Sequence, residues 1–380
     1  MLTEATRRRD FPSLEGITYL NTAAEGIPSL AVQEALAQYF RDKALGMDGR
    51  KPHIAQWEAA RTLTGQLFGL SMGEVGICSC TSEAFNLAAL ALRLKPGDEI
   101  IINDLDFPAG RTPWIQESCP ATVKVWRAQD NALRVEDLVP LLGPRTRLVT
   151  SSLVSFFNGF MIPLPAVVEA VRKHSPALLS LDVTQALGRV PLDLIGVDLI
   201  VSSTHKWILA SHGGGLVGVP GGRTKEWTVP AGGWYNLDAP FEPDRLMDAA
   251  PKQGAASFMV GMPNYSAVYC IRAALEYIQS VGVENIEQAA RPLTLYCLEE
   301  LRKLPIDLIT PCEPSALAGI VAFRHSAFEQ IAAALHAENI HVMCQARRIR
   351  VAIHAYNTLA DVDRFLQQLR KALDQIGASH

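Results

Sequence analysis

A lysine stands inside an apolar, strand-like run, "SSTHKWILASHGGG" at 202–215, with His205 directly before it. Burying an ammonium costs free energy unless something uses it, so Lys206 asks for a chemical role. Upstream, "LLSLDVTQALG" ends another apolar run at Asp182 and places Gln185 shortly after it. "CTSEAFN" sets the hydroxyls of Thr81 and Ser82 on the first turn of a helix, where free N–H groups and the helix dipole favour a phosphate. "DFPAGRTPW" puts the ring of Phe107 in a loop. Each has an ordinary use as well: Asp182 as a turn cap, Thr81 or Ser82 as an N-cap, Phe107 as core filling. One chemistry uses them all. A lysine amine forms a Schiff base with the aldehyde of pyridoxal phosphate, an electron sink for amino-acid carbanions. That cofactor wants a carboxylate at its pyridine nitrogen, a phosphate cradle and an aromatic face. Asp182, Thr81 with Ser82, and Phe107 would supply them.

The elements that must position these groups alternate between short apolar runs and helical stretches. "DEIIIND", "RLVTSSLV", "ALLSLDV" and "DLIVSST" read as buried, mostly parallel strands. "PSLAVQEALAQYF" reads as a helix that Ser29 can cap, and "TSEAFNLAALALRL" as a second. After about residue 265 the pattern changes: a long helical region over 264–304, strands in "AGIVAFRH" and "RRIRVAIHA", and a final amphipathic helix from Thr358 with Asp361 completing a capping box. The expected organisation is a large α/β domain over 15–264 and a smaller α+β domain over 265–380, with the N-terminal stretch free to pack on the small one. Sites in such sheets lie where strand ends meet helix starts.

Composition narrows the function. The chain has 380 residues, with 35 Lys and Arg against 39 Asp and Glu, a net charge of −4. That balance, without a basic stripe interleaved with aromatics, argues against nucleic acid as a partner. No apolar run reaches the roughly 18 residues that span a bilayer, and the first residues lack a signal peptide's apolar core. The seven cysteines are odd in number and scattered, and "CSC" at 78–80 has no partner pair at ligand spacing, so neither disulfides nor a metal site is expected. These features suit a cytoplasmic protein acting on a small molecule.

The sequence resembles the class V aminotransferases, the family that includes cysteine desulfurases, selenocysteine lyases, kynureninase and isopenicillin N epimerase-like proteins. The segment "LSLDVTQALGRVPLDLIGVDLIVSSTHKW" looks like the family's Asp-x-x-Gln-x-x-Gly and Ser-x-His-Lys signature, and "YLNTAAEGIPS" and "IRVAIHAYNT" match its ends. The resemblance implies the fold type I architecture, a mostly parallel seven-stranded-type sheet flanked by helices plus a small α+β domain. It also implies pyridoxal 5'-phosphate as cofactor, an amino-acid substrate and a homodimer. On this resemblance Lys206 carries the Schiff base and moves the Cα proton, with Asp182 at the pyridine nitrogen and Gln185 at the ring oxygen. Ser203 and His205 join Thr81 and Ser82 around the phosphate, and Phe107 takes the stacking position. Arg350 falls at the arginine that clamps the substrate carboxylate, with Arg347 and Arg348 as rivals and an ordinary strand-end charge as the plain alternative.

Two departures bear on the substrate. Met262, in "SFMVGMPN", stands where the family places a phosphate-binding threonine across the dimer interface, and a thioether has no hydroxyl donor. In "SFFNG", Phe156 replaces the family asparagine and Asn158 lies two residues on, beside the expected substrate wall. Trp234 and Tyr235 are further side-chain contacts or plain core aromatics. A desulfurase needs a mobile-loop thiolate. Cys344 is in the right neighbourhood, but the stretch to Arg350 is short for such a loop, and a small buried hydrophobe is its other role. The expected activity is therefore transamination, ahead of desulfuration, carbon–sulfur lysis or epimerisation, and ahead of a non-catalytic cofactor-binding relative.

Overall fold

The computed structural model describes residues 1–242 and 249–378. A short first strand, β1 (Thr18–Tyr19), stands apart from the large sheet. That sheet contains β2 (Val75–Cys78), β3 (Glu99–Asn103), β4 (Thr122–Trp126), β5 (Thr146–Ser152), β6 (Leu178–Asp182), β7 (Leu199–Ser203) and β8 (Gly215–Gly218). Their spatial order is β2-β8-β7-β6-β5-β3-β4. Runs such as EIIIN and LLSLD are buried at every position, the pattern of strands covered on both faces. The strands from β7 to β4 pair in parallel, and β8 alone runs antiparallel to both of its neighbours. Six of the seven therefore point their carboxyl ends to one edge.

The mostly parallel seven-stranded sheet flanked by helices is as expected. Four runs expected as strands form β3, β5, β6 and β7. The short strands β2, β4 and β8, and the helix Arg50–Phe68, carry weaker sequence signals. The long helical region expected over 264–304 consists of two helices, Tyr265–Val281 and Val283–Leu301, broken at Gly282, whose φ of 86° is open to glycine. Ser29 does sit at the N-cap of helix Leu30–Lys43, but its hydroxyl makes no capping bond.

The second sheet holds β9 (Asp307–Leu308), β10 (Ile320–Arg324), β12 (Met343–Gln345) and β13 (Arg348–Ala352), with β11 (Ile340–His341) outside it. Helices Val283–Leu301, Phe328–Ala337 and Leu359–Gly377 accompany it. Thr358 and Asp361 form the expected capping box of the last helix. β1 pairs in parallel with β11, and Asn21 bridges to Ala352, so the N-terminal stretch binds the second sheet. Its Phe11, Leu14 and Leu20 are buried in the same core as Val321, Ile349 and Leu366. Helix Tyr265–Val281 joins the two halves: Ala267 to Leu275 bury into the large-sheet core, while Ile278 enters the second one.

Candidate active site at the carboxyl edge of the large sheet

The strand register brings the sequence candidates together. Ser152, the last residue of β5, pairs with Asp182, the last of β6, and Asp182 pairs with Val201 of β7. Ser203 ends β7 opposite Gly215 of β8, and Gly215 in turn faces Cys78 at the end of β2. Lys206 follows β7, the helix Thr81–Leu92 follows β2, and Phe107 follows β3. All of them therefore lie at one edge, where the chain turns away from the sheet.

Lys206 is partly buried, and its Nζ lies 5.2 Å from the centre of the Phe107 ring. Burial lowers its pKa from 10.5 to about 8, with Asp182 pulling upward and Arg350 adding to the fall. A sizeable minority of the amine is thus neutral at physiological pH, the form that bonds to an aldehyde. Asp182 is 7 % exposed and takes a hydrogen bond from the Thr184 amide at 2.8 Å. Burial raises its pKa, while Thr184 and Lys206 oppose the rise. A buried carboxyl in this state gains most from a cationic ligand. Ser203 Oγ is buried with no hydrogen-bond partner, and a buried orphan hydroxyl is a group a ligand can satisfy. Among the described residues, the main-chain amides of Thr81 and Ser82 have no acceptor, as the first turn of a helix requires. Cys80 holds the N-cap position, its sulfur accepting from the Glu83 amide at 3.5 Å. A cationic ring nitrogen at Asp182, an aldehyde at Lys206, a phosphate at the Thr81 turn and a planar ring against Phe107 are all compatible with these groups.

Other residues fix this set, and sequence reasoning did not single most of them out. Thr184 ties β6 to β7 by accepting from the Ser203 amide at 2.9 Å while its own amide reaches Asp182. Asp106, next to Phe107, is buried and accepts from the Ser152 amide at 2.7 Å. Burial raises its pKa to about 7, and the Asp182 charge pushes the same way. Gln185 accepts from Trp207 Nε1 at 2.6 Å and donates to the Ala23 carbonyl at 3.1 Å. His354, beyond β13, stacks on Trp207 and bonds the Trp207 carbonyl at 3.0 Å, so the second sheet grips the residue after Lys206. His205 stacks on His212 at 4.2 Å, and His212 pairs with Glu25. Burial, then Lys206, lower the pKa of His205 to about 4, leaving it neutral near pH 7.

The N-terminal segment closes over this loop. The Gly26 amide donates to the His205 carbonyl at 2.8 Å, and a Cβ on Gly26 would stand 2.0 Å from the Lys206 carbonyl oxygen. Because the obstacle is backbone, Gly26→Ala must push the lysine loop away. We expect it to cost about 1–3 kcal/mol of stability and to lower activity more than stability loss explains, checked by urea unfolding and kinetics on the same preparation.

The remaining expectations divide. Arg350 lies on β13, 3 % exposed, with Nη1 donating to the Phe156 carbonyl at 2.8 Å and Nε buried without a partner. It acts on Lys206 through its charge, and Phe156 packs edge-on against Phe107 at 5.0 Å. Arg350 thus belongs to the same cluster. Arg347 does not: it lies in the turn after β12, with φ of 58°. Asn158 is not brought to the group around Lys206. It is fully buried, donating to the carbonyls of Asn131 and Ile309 and accepting from the Phe160 amide, so its amide serves the main chain. Met262 is 38 % exposed, two residues before Asn264, which accepts from the Ala267 amide as the N-cap of helix Tyr265–Val281. Tyr235 packs edge-on against Trp57 at 5.6 Å, and Trp234 is partly exposed against Tyr235 and Phe241.

Cys344 sits in β12, within a tight hairpin. Ala346 and Arg347 form its turn, both with positive φ, and Cys344 pairs with Ile349 while Met343 pairs with Arg350. Neighbours along a strand face opposite ways, so Cys344 shares the Ile349 face and turns from that of Arg350. Its thiol reaches only the Phe328 carbonyl at 3.8 Å, and burial raises its pKa.

The model of the family described as aminotransferase class-V matches residues 18–365. An uncharacterized aminotransferase, YcbU, of Bacillus subtilis is 25 % identical to this chain over 98 % of it and 96 % of the relative's length. A cysteine desulfurase of Klebsiella pneumoniae is 29 % identical over 96 % and 98 % of the two chains. Among solved structures, the apo cysteine desulfurase of Thermococcus onnurineus superposes with a TM-score of 0.89 at 20 % identity, covering 99 % of both chains, which shows the shared fold. The chain belongs to the class V aminotransferase family of pyridoxal-phosphate-dependent enzymes.

Proposed function

We propose that this enzyme is an aminotransferase acting on an amino acid held between Lys206 and Arg350. The observation that carries this reading is the β12–β13 hairpin, which supports Arg350 while turning Cys344 to the other face. A sulfur-abstracting thiolate has to approach a substrate gripped by Arg350, and this cysteine neither faces that way nor is activated. When bound, pyridoxal phosphate supplies the electron sink for the pair left behind by the Cα proton. The protein does the rest. Asp182 would hold the ring nitrogen in its charged form, and Phe107 would cover one ring face. The Thr81 and Ser82 amides, with the Ser203 hydroxyl and neutral His205, would hold the phosphate end. Across a dimer interface, Met262 would offer its main-chain N–H in place of a threonine hydroxyl. Lys206, half neutral at about pH 8, would take the Cα proton and later hand a proton back. Arg350 fixes the substrate carboxylate in its planar fork, so that the Cα–H bond points at Lys206.

The test is a panel of amino acids and keto acids given to the pyridoxal-phosphate-loaded protein. Transfer of the amino group to a keto acid supports the proposal. Sulfide with alanine or pyruvate from cysteine, and no transfer, would replace it by desulfuration or lysis. Cys344→Ala is expected to leave amino transfer within about twofold of wild type, since its thiol does only the work of a small apolar group. Loss of activity with an intact fold would restore Cys344 to the chemistry.

A further inference from the structure

Arg350 has a companion. Arg348 lies two residues earlier on β13 and so shares its face of the sheet. It is 1 % exposed, and its Nε and Nη2 are buried without hydrogen-bond partners. Its guanidinium stands 4.3 Å from the Phe157 ring centre and 5.3 Å from that of Phe156. Among the described residues, no carboxylate lies within ion-pair distance of Arg348 or Arg350. The nearby Arg324 has only Asp307, at 3.9 Å, and adds positive charge beside Arg348. Two buried guanidiniums on one face, repelling each other with no counter-ion, are a costly arrangement for stability alone. The fold meets the same demand differently elsewhere: buried Arg189 pairs with Glu287. Arg348 is also continuous with the catalytic group, since Phe156 bridges it to Phe107, and Phe107 lies against Lys206.

We propose that Arg348 is a specificity-determining residue, a second anion clamp that fits the site to dicarboxylic amino acids and their keto acids. This rests on the reading of Arg350 as the α-carboxylate clamp. Residues i and i+2 on a strand are about 6.6 Å apart. A four- or five-carbon dicarboxylic acid holds its carboxyl carbons roughly 4–5 Å apart at C–C lengths near 1.5 Å, a length that two flexible arginines converge on. The distal carboxylate supplies the counter-charge the pair lacks. It satisfies the orphan N–H groups of Arg348, while the faces of Phe156 and Phe157 keep the guanidinium oriented. A neutral side chain of equal length would leave those donors buried and unpaired, which is how a polar site rejects an isostere.

The test is binding to the pyridoxal-phosphate-loaded full chain by titration calorimetry, with glutarate compared against butyrate, which lacks the second carboxylate. Wild type is expected to bind glutarate at least about 30-fold more tightly, a preference of two charge-assisted hydrogen bonds. Arg348→Met is expected to bring the two within about threefold. Arg348→Lys, which keeps the charge and loses the fork, is expected to retain only part of the preference. Equal binding of the two acids by wild type overturns the proposal, as does full preference retained in Arg348→Met. Should the Met variant not fold by circular dichroism, undiminished preference in Arg348→Lys overturns it instead. Failure of the aminotransferase reading would look different: no amino acid would convert the cofactor, whatever the glutarate preference.

Discussion

Lys206→Ala is expected to lower turnover by about 10⁴-fold, at the top of the range for losing a positioned acid–base group, and to abolish covalent capture of the cofactor. After borohydride reduction, wild type should carry the cofactor mass on the peptide containing Lys206, and the variant should carry none. The fold should survive, because among the described residues no hydrogen bond of the Lys206 side chain holds the loop, and its main-chain bond to the Leu209 amide stays in the variant. Gly26, Gln185, Trp207 and His354 hold it instead. The apo-protein offers a second readout with a definite sign. The Lys206 amine has a pKa of about 8 folded against an ordinary 10.5. Between these values the unfolded chain binds a proton that the folded one does not. Stability therefore rises with pH across that window, and the burial penalty is felt in full below about pH 8. Wild-type apo-protein should gain stability relative to Lys206→Ala as pH rises from about 8 to about 10.5, measured by urea unfolding of both. A constant difference would contradict the burial of a titrating amine at this position.

Arg350→Lys and Arg350→Gln are expected to lower kcat/KM by roughly 10²-fold, the worth of about 3 kcal/mol of charge-assisted hydrogen bonding to the substrate carboxylate. Lysine keeps the charge but not the bidentate fork, so it should rescue little. The structure separates this from a stability effect. Arg350 has no carboxylate partner among the described residues, and burial with the neighbouring Arg348 pushes its pKa down to about 9. Removing it takes away one bond to the Phe156 carbonyl and relieves a desolvated charge, so the unfolding temperature should move by only a few degrees. Unchanged kcat/KM in a folded Arg350→Gln enzyme would show that the substrate carboxylate is held elsewhere.

The parts of the site carried by local pattern were legible in the sequence. Asp182 ends one mostly apolar strand and Lys206 closely follows another, so a parallel sheet brings them to one edge, and the helix opening at Thr81 follows from its polar start. The residues that escaped notice depend on distant chain. Asp106 is buried and meets the Ser152 amide from the neighbouring strand, and Gly26 matters because the Lys206 carbonyl passes 2.0 Å from where its Cβ would be. β8, with glycine at both ends, has too little side chain to announce a strand. The family resemblance sets Asn158 beside the substrate wall, yet three main-chain partners, Asn131, Ile309 and Phe160, claim its amide. The orientation of Cys344 turns on the Ala346–Arg347 turn, which reaches positive φ without glycine or asparagine, the usual marks of such a turn. Strand alternation puts Arg348 beside Arg350, but the absence of a counter-ion shows only in three dimensions.

The most direct test of the account is a half-reaction. Pyridoxal-phosphate-loaded protein is mixed with amino acids, acidic ones included, without a keto-acid acceptor, and cofactor and products are identified by mass spectrometry. The account predicts stoichiometric pyridoxamine phosphate together with the keto acid of the donor, lost in Lys206→Ala. Unchanged pyridoxal phosphate, with sulfide, alanine or pyruvate accumulating from cysteine, would contradict it.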